Sequence, residues 1–245
     1  MLRIAKCLGA RWWRGLPAHD LVTDRTAALA SVLSVALCAF LQSCARPDFF
    51  QVNEDREPRW LLIQAWGLLQ ADGVTPRRAV DAGYGNGIET LWMLEHGATV
   101  YAHDISTTAQ TLLLRRVPAS LRPQLHLELR PFHQATWPAN TDLVFAGLSL
   151  PFARPDHFLV AWHKLEAGLN CGGRFAGHLF GNRDSWASGP AAIGGTFLTE
   201  AEARALLAPV FDVEFFWVEE RDGETASGDA KHWHVFHVIA KKRCS

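Results

Sequence analysis

The chain has 245 residues and a mass of 27.2 kDa, with 49% hydrophobic and 20% charged residues, a composition that excludes disorder, collagen and coiled coil as descriptions of the whole. Lys and Arg total 24 against 25 Asp and Glu, so the chain has no general attraction to phosphate backbones. A local basic patch is compatible with that balance, but no nucleic-acid partner is expected.

At the amino terminus, Arg3, Lys6, Arg11, Arg14 and Arg25 stand against Asp20 and Asp24, and Thr26 to Ala45 carries no charge. By length that stretch could span a bilayer as a helix. It could also be a long signal sequence, since Leu41-Gln42-Ser43-Cys44 faintly resembles a lipoprotein cleavage site, although Gln42 fits poorly and the basic leader is long. A third reading is a translated upstream region, or an accessory helix that packs on the domain. Its Ala and Ser content makes transfer into lipid only modestly favourable, and a non-membrane extension over residues 1–45 is the reading taken. Residues 46–245 then form one domain of a size that a single core supports. The five cysteines (Cys7, Cys38, Cys44, Cys171, Cys244) show no CxxC pair or zinc-ligand spacing, so neither a disulfide framework nor a metal site is predicted. The ten tryptophans follow no repeat and read as core or interface residues.

Arg78-Ala79-Val80-Asp81 is a short apolar run ending in an acid. It leads through Gly83-Tyr84-Gly85-Asn86-Gly87 into Ile88 to Leu94, whose apolar residues fall at helical spacing, with Gly97 as a stop. Ala98 to Asp104 follows as a second strand with an acid at its carboxyl end. Two parallel strands joined by a helix make the first unit of a doubly wound sheet, whose ligands sit at the carboxyl edge. Glycines let the turn take positive φ and approach a ligand closely, and the amides opening the next helix then face it. Asp104 lies 17 residues after Gly87, near where an acid accepts hydrogen bonds from two ribose hydroxyls. Such an acid serves the ligand rather than the core, so its removal is expected to change stability little. The dinucleotide fingerprint G-x-G-x-x-G would need glycine where Ile88 stands, so a nucleoside cofactor other than NAD is indicated.

The order Asp81-x-Gly83-x-Gly85-x-Gly87 resembles motif I of class I S-adenosylmethionine-dependent methyltransferases. The resemblance spans roughly residues 48–243. It implies an α/β, doubly wound, mostly parallel seven-stranded sheet with an antiparallel last strand. Gln124 to Arg130 reads as the third strand and Asp142 to Ala146 as the fourth. His157 to Leu169 reads as a helix and Cys171 to Gly177 as the turn into strand five. Phe211 to Glu219 and His232 to Lys241 read as the antiparallel sixth and seventh strands. Leu150-Pro151-Phe152, Leu179-Phe180-Gly181-Asn182-Arg183-Asp184-Ser185-Trp186 and Lys231-His232-Trp233-His234 are similar to the bacterial small-molecule branch of tellurite-resistance and thiopurine methyltransferase-like proteins. The implied cofactor is S-adenosyl-L-methionine, held by Asp81, Gly83, Gly85, Gly87, Asp104 and Ile105.

Two departures from the family pattern matter. Phe132-His133-Gln134 stands where many members have an acid near the adenine, so Phe132 would offer an aromatic face instead. The fourth strand lacks the Asn/Asp-Pro-Pro-Tyr/Phe signature of DNA amino-methylating enzymes. The segment Asp48 to Arg59 resembles one that closes over the cofactor, with Arg56 or Arg59 toward the methionyl carboxylate. Substrate-side candidates are Ser149, Pro151, Phe152, Arg183, Asp184 and Trp186; core packing for Phe152 and Trp186, and a mutual Arg183–Asp184 pair, are the alternatives. His232 and His234 share a strand face where two metal ligands would sit, or where two hydrogen-bonded histidines would. The acceptor, a catalytic residue and any general base stay open. A non-catalytic cofactor sensor and a membrane-anchored binding protein are the other functions compatible with the chain. Because the resemblance implies a cofactor made in the cytosol, the expected location is cytoplasmic, with membrane association through residues 26–45 as the alternative.

Overall fold

The computed structural model describes Phe50, Asn53 and residues 56–244. The apolar stretch 26–45 and the membrane readings attached to it lie outside the described residues. Among the described residues, no helix is long and apolar enough to cross a membrane.

Helix α1 (Trp60–Ala71) precedes β1 (Arg78–Ala82), α2 (Ile88–Glu95), β2 (Thr99–Asp104), α3 (Thr107–Arg116), β3 (Leu125–Leu129) and β4 (Thr141–Ala146). Then follow α4 (Pro155–Gly168), β5 (Leu169–Gly181), the two-residue β6 (Phe197–Leu198), α5 (Glu200–Leu207), β7 (Phe211–Glu224) and β8 (Ala230–Lys242). The strand order is β3-β2-β1-β4-β5-β8-β7, with β6 paired beside β5. Strands β1 to β5 pair in parallel, and β8 runs antiparallel between β5 and β7. This is the doubly wound, mostly parallel sheet that the sequence predicts, with one refinement. Only β8 opposes the rest; β7, antiparallel to β8, points the same way as the parallel strands.

Period-two side-chain direction divides the sheet into two faces. Ala79, Val100, Leu143, Phe145, Ala176 and Ile239 pack on one side with Leu61, Leu62, Trp66 and Leu69 of α1 and with Met93 and Leu113 of α2 and α3. Val80, Val144, Phe175, Phe236 and Val238 pack on the other with Phe158, Trp162 and Leu165 of α4 and with Ala203 and Leu207 of α5. Near-continuous burial along β1, β4 and β5 is what a sheet covered on both faces requires. Local signals set the helix starts: Pro155 opens α4, and α5 begins with a capping box in which Thr199 and Glu202 satisfy each other's backbone amides.

One bridge departs from the sequence reading, which predicts no disulfides. Cys171 is bonded to Cys244 across 73 residues, with Cα atoms 4.8 Å apart. The antiparallel register explains it: Arg174 lies opposite Lys241, and continuing that pairing outward brings the two cysteines face to face. Spacing along the chain carries no trace of such a contact.

Candidate functional site

The cleft at the carboxyl edge of β1 and β4 is lined by Asn53, Arg56, Arg59, Asp81, Gly83, Tyr84, Gly85, Asn86, Glu89, Phe145 and Gly147. It thus brings together Arg59, Asp81, Gly83 and Gly85 of the sequence-predicted set. Gly83 has φ 82°, Gly85 50° and Gly87 74°, all in the left-handed region that disfavours side chains. At Gly83 space is also closed, since a methyl group there would fall 2.3 Å from Ser149 Cβ and 3.4 Å from the Phe132 ring. Phe132 therefore lies beside the glycine turn, where an aromatic face toward adenine is expected. Gly87 is the residue from which α2 starts, so the first amides of that helix open onto the turn.

Asp104 closes the turn from β2. Its Oδ2 accepts the Gly85 N–H at 3.0 Å, and its Oδ1 accepts the amides of Ile105 and Ser106 at 2.7 and 2.9 Å. This corrects the expectation that Asp104 serves a ligand alone, because the carboxylate also ties two loops of the fold together. Ile105 follows with its side chain 72% exposed, available as an apolar surface beside the turn.

Asp81 is buried, and Thr90 donates a 2.6 Å hydrogen bond to its Oδ2. Burial first, and the neighbouring Glu89 charge second, push its carboxyl up to about 7. Glu89, near the start of α2, is held by both guanidinium nitrogens of Arg56 at 2.5 and 2.6 Å and accepts the Arg59 N–H at 3.1 Å. Sequence reasoning missed Glu89. The available signal was an acid in the first turn of the motif helix, facing the arginines of the preceding segment. Arg56 is thus committed to Glu89, whereas Arg59 keeps its Nε 3.9 Å from that carboxylate and lies against Gly147. Burial and the adjacent Arg56 lower the Arg59 pKa, so an anion beside it would be favoured. The Tyr84 hydroxyl and Asn86 Oδ1 are buried without a hydrogen-bond partner among the described residues, and both line this cleft.

The substrate-side candidates separate into two groups. Ser149 donates to the Ala82 carbonyl and packs under Gly83, and Pro151 is buried with its carbonyl accepting the Thr196 amide at 2.7 Å. These two residues shape the loop after β4. Phe152, 51% exposed, meets Phe180 and Trp186 at ring separations of 5.4 and 5.9 Å. Arg183 and Asp184 do not pair with each other: Arg183 grips Glu220 through two hydrogen bonds of 2.7 and 2.6 Å, and Asp184 forms a buried ion pair with Lys231. Adjacent residues in this turn point to different sides, which separates them. His232 bonds Asp222 at 2.7 Å, and His234 is buried against Gly181, with its Nδ1 accepting the Arg183 amide. Among the described residues no three His, Cys, Asp or Glu side chains are grouped to hold a metal.

No protein-family model matches the chain. Among solved structures it is similar to TehB from Haemophilus influenzae, with 14% identity, TM-score 0.63, and coverage of 80% of this chain and 67% of that one. It is also similar to the 1,6-didemethyltoxoflavin-N1-methyltransferase of Burkholderia thailandensis, solved with 1,6-didemethyltoxoflavin and S-adenosylhomocysteine, at 20% identity and TM-score 0.53 over 93% and 94% of the two chains. The N-methyltransferase NodS of Bradyrhizobium japonicum WM9, in complex with S-adenosylhomocysteine, matches at 12% identity and TM-score 0.57 over 80% and 93%. The chain has the Rossmann-like fold of S-adenosylmethionine-dependent methyltransferases.

Proposed function

We propose that the chain is an S-adenosylmethionine-dependent methyltransferase acting on a small-molecule acceptor. The observation that carries this reading is one cleft holding the glycine turn, the buried Asp81 that leads it and the lightly committed Arg59. A methionyl group is zwitterionic. Asp81 would take its ammonium, which would restore the charge that burial disfavours, and Arg59 would take its carboxylate. The orphaned Tyr84 hydroxyl and Asn86 carbonyl are further polar partners. Asp104 keeps lone pairs for ribose hydroxyls beyond its backbone amides, and Ile105 and Phe132 would pack against adenine. Bound there, the cofactor supplies a methyl group already activated by a sulfonium charge. The protein's share is then to position the acceptor and exclude water, where proximity can supply much of the rate enhancement. The reading places the chain in the cytoplasm, where that cofactor is made.

Isothermal titration is expected to show S-adenosylmethionine and S-adenosylhomocysteine binding, with no response to NAD or NADP. Tight NAD binding without either sulfur ligand would overturn the reading. Turnover with any acceptor separates an enzyme from a cofactor sensor.

Asp81 gives a pH-dependent expectation. Its folded pKa of about 7 exceeds the unfolded value of 3.8, so the ligand-free folded state binds the extra proton between those limits and loses stability as pH rises through them. Asp81→Asn removes that loss. Thermal melts should show the variant above the parent at pH 8 and close to it at pH 4, while its cofactor affinity drops. A constant melting-temperature difference at both pH values would exclude a buried, titrating Asp81.

A further inference from the structure

The Cys171–Cys244 bridge lies at the amino edge of the sheet, the end opposite the cofactor cleft. Cys171 stands ten residues before Gly181, the carboxyl end of β5, which is about 33 Å along the strand. The ring that the bridge closes contains β5, β6, α5, β7 and β8, and with them Phe180, Arg183, Asp184 and Trp186. The glycine turn and Asp104 lie outside that ring. Both half-cystines are exposed, so thiols in solution have access to the bond.

The bridge is the last fastener of a clasp formed by Lys241, Lys242, Arg243 and Cys244. Lys241 Nζ pairs with Asp72, just past the end of α1, at 2.7 Å. Lys242 Nζ donates to the carbonyls of Glu166 and Leu169 at 2.6 and 2.7 Å, where α4 hands over to β5. The Arg243 amide donates to the Val210 carbonyl at 2.9 Å, and its guanidinium to the Phe211 carbonyl at 2.8 Å. Arg174, three residues after Cys171, is buried and gripped by Glu214 at 2.6 and 2.7 Å and by Asp72 at 2.8 Å. None of these contacts needs the sulfur–sulfur bond. With the bond open they hold Cys244 against the start of β5, so the two thiols stay within reach of each other. What opening releases is the unfolded chain, whose long loop is no longer closed and has more conformational entropy to lose on folding.

Compartment then decides the role. The methyltransferase reading places the chain in the cytoplasm, where thiols are kept reduced and an accessible pair is usually transient or redox-sensing rather than a permanent staple. We propose that Cys171 and Cys244 form a reversible thiol–disulfide couple that sets how readily the fold is lost, while leaving the cofactor cleft untouched. The couple itself rests on this geometry, and its cytoplasmic role rests on the methyltransferase reading. In the reducing direction a glutathione thiolate attacks one exposed sulfur, the S–S bond breaks, and its electron pair leaves on the other cysteine, which is then protonated. A second glutathione thiolate attacks the mixed disulfide, frees the remaining cysteine and departs as oxidised glutathione. Two electrons and two protons thus pass from two glutathione thiols to the bridge. Oxidised glutathione restores it by the same two exchanges in reverse.

The test uses the full chain, with reduced and oxidised glutathione as the probes. Alkylation and peptide mapping distinguish Cys171 and Cys244 from Cys7, Cys38 and Cys44. Oxidised glutathione is expected to give the Cys171–Cys244 pair, and an excess of reduced glutathione to open it reversibly in the folded protein. Opening should lower the melting temperature by about 5–15 °C. The double variant Cys171→Ser, Cys244→Ser should melt at the lower temperature in either buffer. On opening, hydrogen exchange should quicken at residues 171–173 and 240–242 and stay unchanged at residues 83–87. S-adenosylhomocysteine affinity should be the same in both forms. A pair that never forms, a bond that opens only once the chain is unfolded, a melting temperature blind to glutathione, or an affinity that changes with the bond would overturn the inference and leave the methyltransferase reading standing. Absence of S-adenosylhomocysteine binding in both forms would overturn that reading, and the couple's cytoplasmic role with it.

Discussion

Asp104→Ala is expected to weaken S-adenosylmethionine binding by roughly tenfold to several hundredfold and to lower the melting temperature in the same protein. The first effect follows from the charge-assisted ribose hydrogen bonds, whose combined net loss is about 1.5–3.5 kcal/mol, at about 1.4 kcal/mol per decade of affinity. The second follows from geometry. Three backbone amides, those of Gly85, Ile105 and Ser106, converge on this carboxylate. Alanine leaves them to water and frees the glycine turn from the end of β2, which costs on the order of 1–3 kcal/mol. Asp104→Asn keeps one carbonyl acceptor and should fall between parent and alanine in both measurements. Calorimetric titration and thermal melts on the same samples decide the matter. Lost stability with unchanged affinity would make Asp104 a turn brace only, and lost affinity with unchanged stability would show that the amides find other partners.

A larger loss of stability is expected at Lys231. Its ammonium is buried against Asp184, with Trp186 at 3.8 Å and Trp233 at 4.4 Å from the charge. Burial lowers the Lys231 pKa while Asp184 opposes the shift. The pair itself is weak evidence of net stabilisation, but breaking it from one side is costly because the remaining charge has no water to return to. Lys231→Met leaves Asp184 with the amides of Trp186 and His234 at 2.9 and 3.2 Å as its remaining partners. The cost should be about 3–5 kcal/mol, a fall of roughly 10 °C or more for a domain of this size. Replacing both members with apolar residues should recover much of it. A Lys231→Met protein that melts like the parent would mean that Asp184 takes up a proton or that water enters. Either outcome would remove the ion pair as the anchor of the Phe152–Trp186 aromatic cluster.

The parts of the fold that were legible in the sequence are the local ones. From Arg78 to Asp104 the apolar run, the glycine spacing and the helical periodicity each point to the same strand–turn–helix–strand, and the structure agrees to within a residue or two. The hairpin was readable in outline, but β7 and β8 run on to Glu224 and back from Ala230. The polar residues Arg221 and Asp222 read as loop, yet they pair with Trp233 and His232 on a two-stranded projection open to water. What stayed hidden depends on long-range pairing. Arg56 meets Glu89 across 33 residues, Asp184 meets Lys231 across 47, and Cys171 meets Cys244 across 73. A charge's partner is set by strand register and helix placement, which residue type and spacing do not encode. Asp184 shows this best: its sequence neighbour Arg183 was the obvious partner, and the sheet supplied another.

The β7–β8 hairpin outruns the sheet. The strand pairing of β8 to β5 stops at Val235, and residues 230–234 go on paired with β7 on one side and bonded to the Asp184–Ser185 turn on the other, toward a turn closed by the Thr225 amide on the Asp229 carbonyl at 2.9 Å. Since β7 points with the parallel strands, this projection rises above the carboxyl edge beside the aromatic surfaces of Trp186 and Trp233. For protein engineering that makes the hairpin tip a separable module. A library that varies residues 223–229 changes the surface beside those aromatic rings while β1, α2 and Asp104 keep their geometry, because hairpin tips tolerate insertion and replacement far better than the strands beneath them. Variants could then be selected there without rebuilding the glycine turn and the sheet beneath it.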